Sequence, residues 1–115
     1  MEVKDTRMIT NGKFVKIVVF VPVAHADKIR EVLSKNTGKI GNYSSCSFSV
    51  KGMGRFMPIG EARPMIGEIG KLETVEEERI EVLCSREKPQ EVIADVKAVH
   101  PYEEPAIDVC GVEVA

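Results

Sequence analysis

The residues from Phe14 to Val21 form a nearly continuous run of apolar and β-branched side chains, interrupted only by Lys16. Branched and aromatic side chains favour extended backbone, and a run that is apolar on both faces suits the middle of a sheet. Pro22 cannot donate a hydrogen bond to a neighbouring strand, so it ends the run. The sequence therefore predicts one central strand that needs cover on both of its faces.

Two amphipathic helices are predicted, because apolar side chains recur with helical spacing in two segments. The first segment covers residues 24–36, and Gly38 follows it in a position suited to a left-handed C-terminal cap. The second begins at Pro89, which is well placed in a first helical turn, and it ends before Pro101. The two apolar stripes consist of Ala26, Ile29, Val32 and Leu33, and of Val92, Ile93, Val96 and Val99.

Three further strands are expected from alternating apolar and polar residues. They cover Ile40–Lys51, Thr74–Cys84 and Ala106–Val114. In the first of them, one face is lined mainly by serine, which indicates an exposed or interfacial surface. Residues 52–71 are rich in glycine and proline and predict a long excursion of the kind that is usually functional or mobile.

The order of these elements, β-α-β followed by β-α-β, predicts an α+β ferredoxin-like sandwich. Right-handed crossovers place both helices on one face of a four-stranded antiparallel sheet. We expect a flexible tail at residues 1–12 and one domain at residues 13–115, since this length suits a single core. The helix-free face also needs cover, for which a homo-oligomer is the simplest source; the excursion at 52–71 and another protein are the alternatives.

Charge and hydropathy argue against several classes of function. The chain has 16 basic and 18 acidic side chains and a net charge of −2, whereas nucleic-acid-binding domains carry a clear basic excess. The apolar run is too short to cross a bilayer, and residues 1–13 lack the apolar stretch of a signal peptide. We therefore expect a cytoplasmic protein that binds neither nucleic acid nor membrane.

Three cysteines, Cys46, Cys84 and Cys110, are odd in number and lack a C-x-x-C spacing. This pattern argues against a disulfide framework and against a thiolate zinc site. Because each cysteine falls in a predicted strand, all three are interpreted as reduced thiols of the core.

The segment from His100 to Asp108 has the highest density of titratable groups in the chain. His100, Glu103 and Glu104 are candidate ligands for a divalent metal, the one candidate cofactor, because imidazole and carboxylate groups bind such ions. The favoured interpretation is structural, since proline fixes a turn here and histidine can bond to helix-end carbonyls. No serine or cysteine has a neighbouring base, so a hydrolase function has no positive support, and any other enzyme would need an acid/base pair such as His100 and Glu103 in a closed pocket.

The chain resembles a known family in two regions. The stretch from Gly38 to Glu81 and the stretch from His100 to Ala106 are similar to the PII/CutA-like insertion domain of YqfO-type proteins, a Nif-three-like family related to GTP cyclohydrolase I type 2. The matching motifs are Ile40-Gly41-Asn42-Tyr43-Ser44, Cys46-Ser47-Phe48, Gly52-x-Gly54, Pro58, Ile66-Gly67, Gly70-Lys71-Leu72-Glu73, Arg79-Ile80-Glu81 and His100-Pro101-Tyr102-Glu103-Glu104-Pro105-Ala106.

The resemblance implies a ferredoxin-like fold related to PII and CutA proteins, which are typically trimers. With the apolar central strand and the glycine-rich excursion, it leads us to expect a non-enzymatic module that binds a small ligand or a partner protein at clefts between subunits. It also implies a freestanding domain, since the flanking halves that hold the dinuclear metal of full-length YqfO-type proteins are not in this chain. An ion-binding role like that of CutA, at the corner from His100 to Glu104, is the alternative. The candidate ligand-binding residues are Gly41, Asn42, Tyr43, Cys46, Arg55 and Tyr102.

Overall fold

A computed structural model describes residues 12–115 of the chain. In chain order the elements are β1 (Phe14–Pro22), a 3-10 turn (Val23–His25), α1 (Ala26–Ser34), β2 (Phe48–Phe56), β3 (Glu73–Ser85), α2 (Pro89–Val99) and β4 (Ile107–Val112). The predicted tail lies outside the described residues except for Gly12, so the boundary at residue 13 stays a prediction.

The four strands form one sheet in the order β2-β3-β1-β4, and every neighbouring pair is antiparallel. β1 lies between β3 and β4, as the continuous apolar run predicted. Its pairing with β3 runs from Phe14 opposite Ser85 to Pro22 opposite Glu77. The predicted ferredoxin-like α+β fold is confirmed.

The core lies between the sheet and the two helices. Alternate residues of β1 and β3 pack there against the stripes of α1 and α2, as their periodicities predicted. Ile93 is an exception, because it is only partly buried and lies outside this core. The core consists of Val15, Ile17, Val19, Val21, Ala26, Ile29, Val32, Leu33, Ile80, Val82, Cys84, Val92 and Val96.

The prediction that all three cysteines belong to the core is wrong for two of them. Cys84 is buried on β3, but Cys46 is only partly buried and Cys110 is exposed on β4. β4 is an edge strand, so its side chains have a neighbour on one side only, and Cys46 lies in a loop rather than in a strand.

The predicted second strand begins eight residues too early. Ile40 and Tyr43 exchange two backbone hydrogen bonds of 2.9 Å, so this segment closes on itself as a tight turn. Gly41 and Ser45 both have positive φ angles, of 56° and 58°, which a strand does not tolerate. The predicted serine-lined face from Tyr43 to Ser47 therefore does not exist.

β2 instead extends through Phe56 and includes two glycines that the sequence placed in the excursion. The reason is the length of β3, whose 13 residues reach beyond the end of β1. Residues Glu73–Glu81 of β3 pair with β2 and residues Glu77–Ser85 pair with β1, so the two pairings overlap in the middle of the strand. A long strand needs partners along its whole length, and β2 supplies them.

The remaining excursion, residues 57–72, is called the arm. The amide of Gly70 donates a 2.8 Å hydrogen bond to the carbonyl of Pro58, which is buried, and this bond closes the base of the arm. Several large apolar side chains of the arm are exposed. They are Met57, Ile59, Met65, Ile69 and Leu72.

The helix-free face of the sheet is mixed rather than uniformly apolar. Val18 is only 8% exposed there, and beside it the carboxylate of Glu81 binds both Lys16 and Arg79 at 3.2 Å. At the end of this face near Phe20, the arm and the sheet line a shared cavity. At the β2 edge, Phe48 and Val50 remain exposed in the single chain.

Candidate functional site

A cavity of about 490 Å³ lies where the arm meets the corner between α2 and β4. Its base is the helix-free face of the sheet, and its sides are mostly apolar. Its size suits a small organic ligand. The lining residues are Phe20, Gly54, Arg55, Phe56, Met57, Pro58, Ile59, Ala62, Pro64, Met65, Ile66, Glu77, Tyr102, Glu103, Glu104 and Ala106.

A buried carboxylate and a phenol meet at the base of the cavity. The hydroxyl of Tyr102 donates a 2.6 Å hydrogen bond to Oε2 of Glu77, whose residue is only 9% exposed. Burial, followed by the bond to Glu77, raises the pKa of Tyr102 well above its ordinary value of 10.0. The ring of Phe56 packs edge-on against Tyr102 at 5.4 Å between centroids. Tyr102 is therefore a fixed, neutral hydrogen-bond donor.

Gly54 provides the space that the Glu77 carboxylate occupies. A Cβ atom at position 54 would overlap Oε1 of Glu77, because the two residues lie on neighbouring strands and face the same side of the sheet. At Gly52, the residue directly opposite Glu77, a Cβ atom would meet nothing. Glycine inside a strand often marks such a close approach. Gly54 therefore makes room for the Glu77 carboxylate, and no side chain at position 52 covers it.

His100 fixes the corner beside this pair. Its Nε2 lies 2.8 Å from the carbonyl oxygen of Phe20, and its Nδ1 accepts a 3.1 Å hydrogen bond from the amide of Tyr102. A carbonyl can only accept, so Nε2 carries the proton and the ring is neutral. The backbone amide of His100 also donates a 2.9 Å hydrogen bond to the carbonyl of Val96 near the end of α2. His100 thus joins α2, β1 and the corner.

The candidate metal ligands are not arranged as one set of free donors. Both ring nitrogens of His100 are already used by the backbone, and Oε1 of Glu103 accepts a 3.1 Å bond from the amide of Arg63. Glu104 is exposed at the rim of the cavity. Within residues 12–115, no group of three His, Cys, Asp or Glu residues could hold a metal ion. The metal site stays a prediction, and the geometry favours a structural role for His100.

Of the six candidate ligand-binding residues, only Arg55 and Tyr102 line the cavity. Cys46 lines a different depression, beside Arg30 and the end of α1. Gly41, Asn42 and Tyr43 lie in the exposed turn that precedes it. A single copy of the chain therefore does not bring the six together. Glu77 was missed, although the Gly52-x-Gly54 spacing inside a strand was a signal that could have indicated it.

Stability should depend on pH through His100. Burial is the main cause that lowers the pKa of His100 below 6.5, and the bond to Phe20 and the charge of Glu77 oppose it, whereas the charge of His25 adds to it. Because the unfolded state takes up this proton first, the free energy of unfolding should fall as the pH drops from about 7.5 to about 5.5. Urea unfolding at several pH values in this window measures the slope.

Two variants test whether His100 causes the dependence of the unfolding free energy on pH. His100→Gln keeps an amide that can donate to the Phe20 carbonyl but cannot titrate, so the slope should become shallower. His25→Gln replaces the exposed histidine and should leave the slope nearly as it is in the parent protein. An unchanged slope in His100→Gln would contradict the assignment.

No helix within residues 12–115 combines the length and the apolar content that crossing a membrane requires.

No protein-family model matches the chain. Among curated proteins, it is 46% identical over 100 residues to the GTP cyclohydrolase 1 type 2 homolog of Halalkalibacterium halodurans, covering 86% of this chain and 27% of that protein. The homolog of Bacillus subtilis is 41% identical over 99 residues, covering 85% and 26%. The chain thus spans about a quarter of the length of the curated relatives that it matches.

Solved structures of two kinds of protein are similar to this chain, a NIF3-related protein and CutA. A Bacillus cereus protein related to NIF3 superposes with a TM-score of 0.75 at 42% identity, over 90% of this chain and 26% of that one. The periplasmic divalent cation tolerance protein CutA from Archaeoglobus fulgidus superposes with a TM-score of 0.64 at 24% identity, over 89% and 86%. The second match shows a shared fold.

Proposed function

We propose that this domain, a CutA-like homologue of a segment found in GTP cyclohydrolase 1 type 2 homologues, is a non-enzymatic oligomeric module that binds a small ligand or a partner protein in clefts between its copies. The observation that supports this most strongly is the cavity between the arm and the corner, with its apolar sides and its buried polar pair. Such a combination is typical of a binding site for a small molecule.

The exposed apolar surface supports assembly. Phe48 is 66% exposed on β2, and Met65 and Ile59 on the arm are 77% and 72% exposed. Apolar surface of this extent on a small domain usually marks an interface, because leaving it in water is unfavourable. The helix-free face and the arm would pack against sister copies. Three copies is the number that the resemblance to PII and CutA proteins implies.

Assembly would also explain why the six candidate residues are separated in one copy. Arg55 and Tyr102 line the cavity, whereas the turn at 41–43 is exposed and lies apart from it. We propose that the turn of one copy closes the cavity of the next. The cleft would then have one side from each subunit.

The state of the titratable groups supports binding rather than catalysis. Tyr102 is held as a neutral donor because its pKa is raised, and both ring nitrogens of His100 are occupied by backbone groups. A general acid or base must exchange its proton readily near neutral pH. These two side chains instead support the shape of the cavity.

Native mass spectrometry should detect an assembly of three times the single-chain mass of 12.7 kDa. Met65→Glu should shift the population toward single chains, since it adds a charge to an exposed apolar side chain on the proposed interface. Lys35→Glu, on the exposed end of α1, is the matched control and should leave the assembly intact. Single chains at micromolar concentration in the parent protein would exclude the proposed clefts.

A further inference from the structure

We infer that the cavity selects small ligands that carry a single ammonium group on an apolar body, and that Glu77 is the residue that binds the ammonium. This inference rests on the proposed function, since it names the class of ligand for the same cavity. The juxtaposition that supports it is a buried carboxylate beside two glycines, placed at the base of an apolar cavity.

The buried carboxylate is only partly satisfied. Oε2 of Glu77 accepts the hydrogen bond from Tyr102, and Oε1 faces Gly54. Among residues 12–115, no basic side chain forms an ion pair with Glu77; the nearby Arg79 is paired with Glu81. A buried carboxylate is costly unless hydrogen bonds and an opposite charge compensate for the lost water. A bound cation would supply that charge.

Glu77 can be approached from two directions. It lines the cavity, and it also lines a neighbouring groove of about 330 Å³. The two glycines of β2, Gly52 and Gly54, belong to the groove and carry no side chain that would cover the carboxylate. A group can therefore reach Glu77 from the groove without displacing a side chain of β2, and Glu77 also forms part of the cavity wall.

The charges around the cavity oppose anionic ligands. Three carboxylates, of Glu77, Glu103 and Glu104, line the cavity together with one guanidinium, that of Arg55. The charges of the exposed Glu103, Glu104 and Arg55 are partly screened by water, so the buried Glu77 contributes most of the repulsion that a phosphate or a carboxylate would meet. The surroundings therefore favour a cation.

The number of available oxygens restricts the cation further. Oε2 of Glu77 already accepts the bond from Tyr102, so a guanidinium that bound both oxygens would share Oε2 with the phenol, which favours a cation that needs Oε1 alone. Ca²⁺ and Mg²⁺ prefer six or more oxygen ligands and zinc takes about four N, S or O ligands, whereas no group of three His, Cys, Asp or Glu residues within residues 12–115 could hold a metal ion. A primary ammonium carries three N–H donors; Oε1 of Glu77 would accept from one of them, and the exposed rim of the cavity at Glu104 leaves water for the others. The apolar residues Met57, Ile59 and Ile66 would contact the rest of the ligand.

Three matched probes test the inference on the parent protein by NMR titration. They are 2-phenylethylammonium, 2-phenylethanol and 3-phenylpropionate, which share a ring and differ mainly in the charge of the head group. The ammonium should bind at least about tenfold more tightly than the alcohol, as expected for a charge-assisted hydrogen bond at a buried site. The carboxylate should bind most weakly. The shifts should concentrate on the arm and on residues 100–106.

Glu77→Gln should reduce the affinity for the ammonium at least about tenfold and bring it close to that of the alcohol, because an amide retains an oxygen acceptor for Tyr102 but has no charge. Glu91→Gln, at the exposed start of α2, is the control and should leave the affinity unchanged. Should Glu77→Gln fail to fold, the relative affinities of the three probes for the parent protein still test the inference by themselves.

Equal binding of the three probes, stronger binding of the carboxylate, or no binding of any probe would overturn the inference. These outcomes are separate from the test of assembly. A single chain that still prefers the ammonium would overturn the proposed clefts and keep the inference. A trimer that binds the ammonium no better than the other two probes would keep the proposed clefts and overturn the inference.

Discussion

Gly38→Ala should lower the free energy of unfolding by about 2–4 kcal/mol, measured by urea denaturation. The φ angle of Gly38 is 76°, which costs an alanine about 1–2 kcal/mol. An added Cβ would also lie 2.5 Å from the carbonyl oxygen of Cys46 and 2.9 Å from its nitrogen. Both are backbone atoms, so the loop must move and strain its 2.8 Å bond from the Cys46 amide to the Gly38 carbonyl, adding a further cost of about 1–2 kcal/mol.

The matched control is Gly41→Ala, in the turn that follows. Gly41 also has a positive φ, of 56°, but a Cβ there would meet nothing within 4 Å. Its cost should be limited to the backbone conformation, about 1 kcal/mol. The difference between the two variants isolates the contact with Cys46. Equal costs would show that the loop is free to move and that Gly38 does not hold it.

Much of the fold could be predicted because the decisive patterns are local. The continuous apolar run of β1 indicates a central strand, and the helical spacing in α1 and α2 identifies the faces that reach the core. Pro89 and Gly38 mark helix ends, since each is suited to one backbone conformation. These features depend on residues a few positions apart, so the sequence contains them directly.

The position of β2 depends on residues that are distant in the sequence. The alternation after Ile40 suggested a strand there, but pairing with β3 determines where the strand lies, and β3 needs a partner as far as Glu73. Two glycines reduce the local preference for a strand in β2. Gly54 is required because it makes room for Glu77, which is a tertiary requirement, whereas a Cβ at Gly52 would meet nothing.

Only part of the candidate site could be predicted, because the rest depends on contacts between residues that are distant in the sequence. Arg55 and Tyr102 were identified from motifs, and both line the cavity. Glu77 was not identified, because a glutamate among several glutamates resembles a solvated face. Its carboxylate contacts Tyr102 and Gly54, which come from other parts of the chain. Only the folded chain distinguishes Glu77 from its neighbours.

Ile17→Ala should lower the free energy of unfolding by about 3–4 kcal/mol, within the range measured for truncating a buried isoleucine. Ile17 is fully buried in the middle of β1, opposite Val82 on β3 and Val109 on β4. Strands on both sides restrict collapse, so the lost methyl and methylene groups leave a cavity in addition to the lost burial. The urea midpoint, with an unchanged denaturant slope, measures the loss.

Ile59→Ala removes the same atoms from the arm, where the side chain is 72% exposed. Its effect on the unfolding of a single chain should stay within about 0.5 kcal/mol, as for most surface substitutions. Its effect should instead be on affinity, because Ile59 lines the cavity and belongs to the proposed interface. A loss of chain stability comparable to that of Ile17→Ala would place the arm in the core. A loss of binding or assembly alone would separate the apolar residues that hold the fold from those that serve its function.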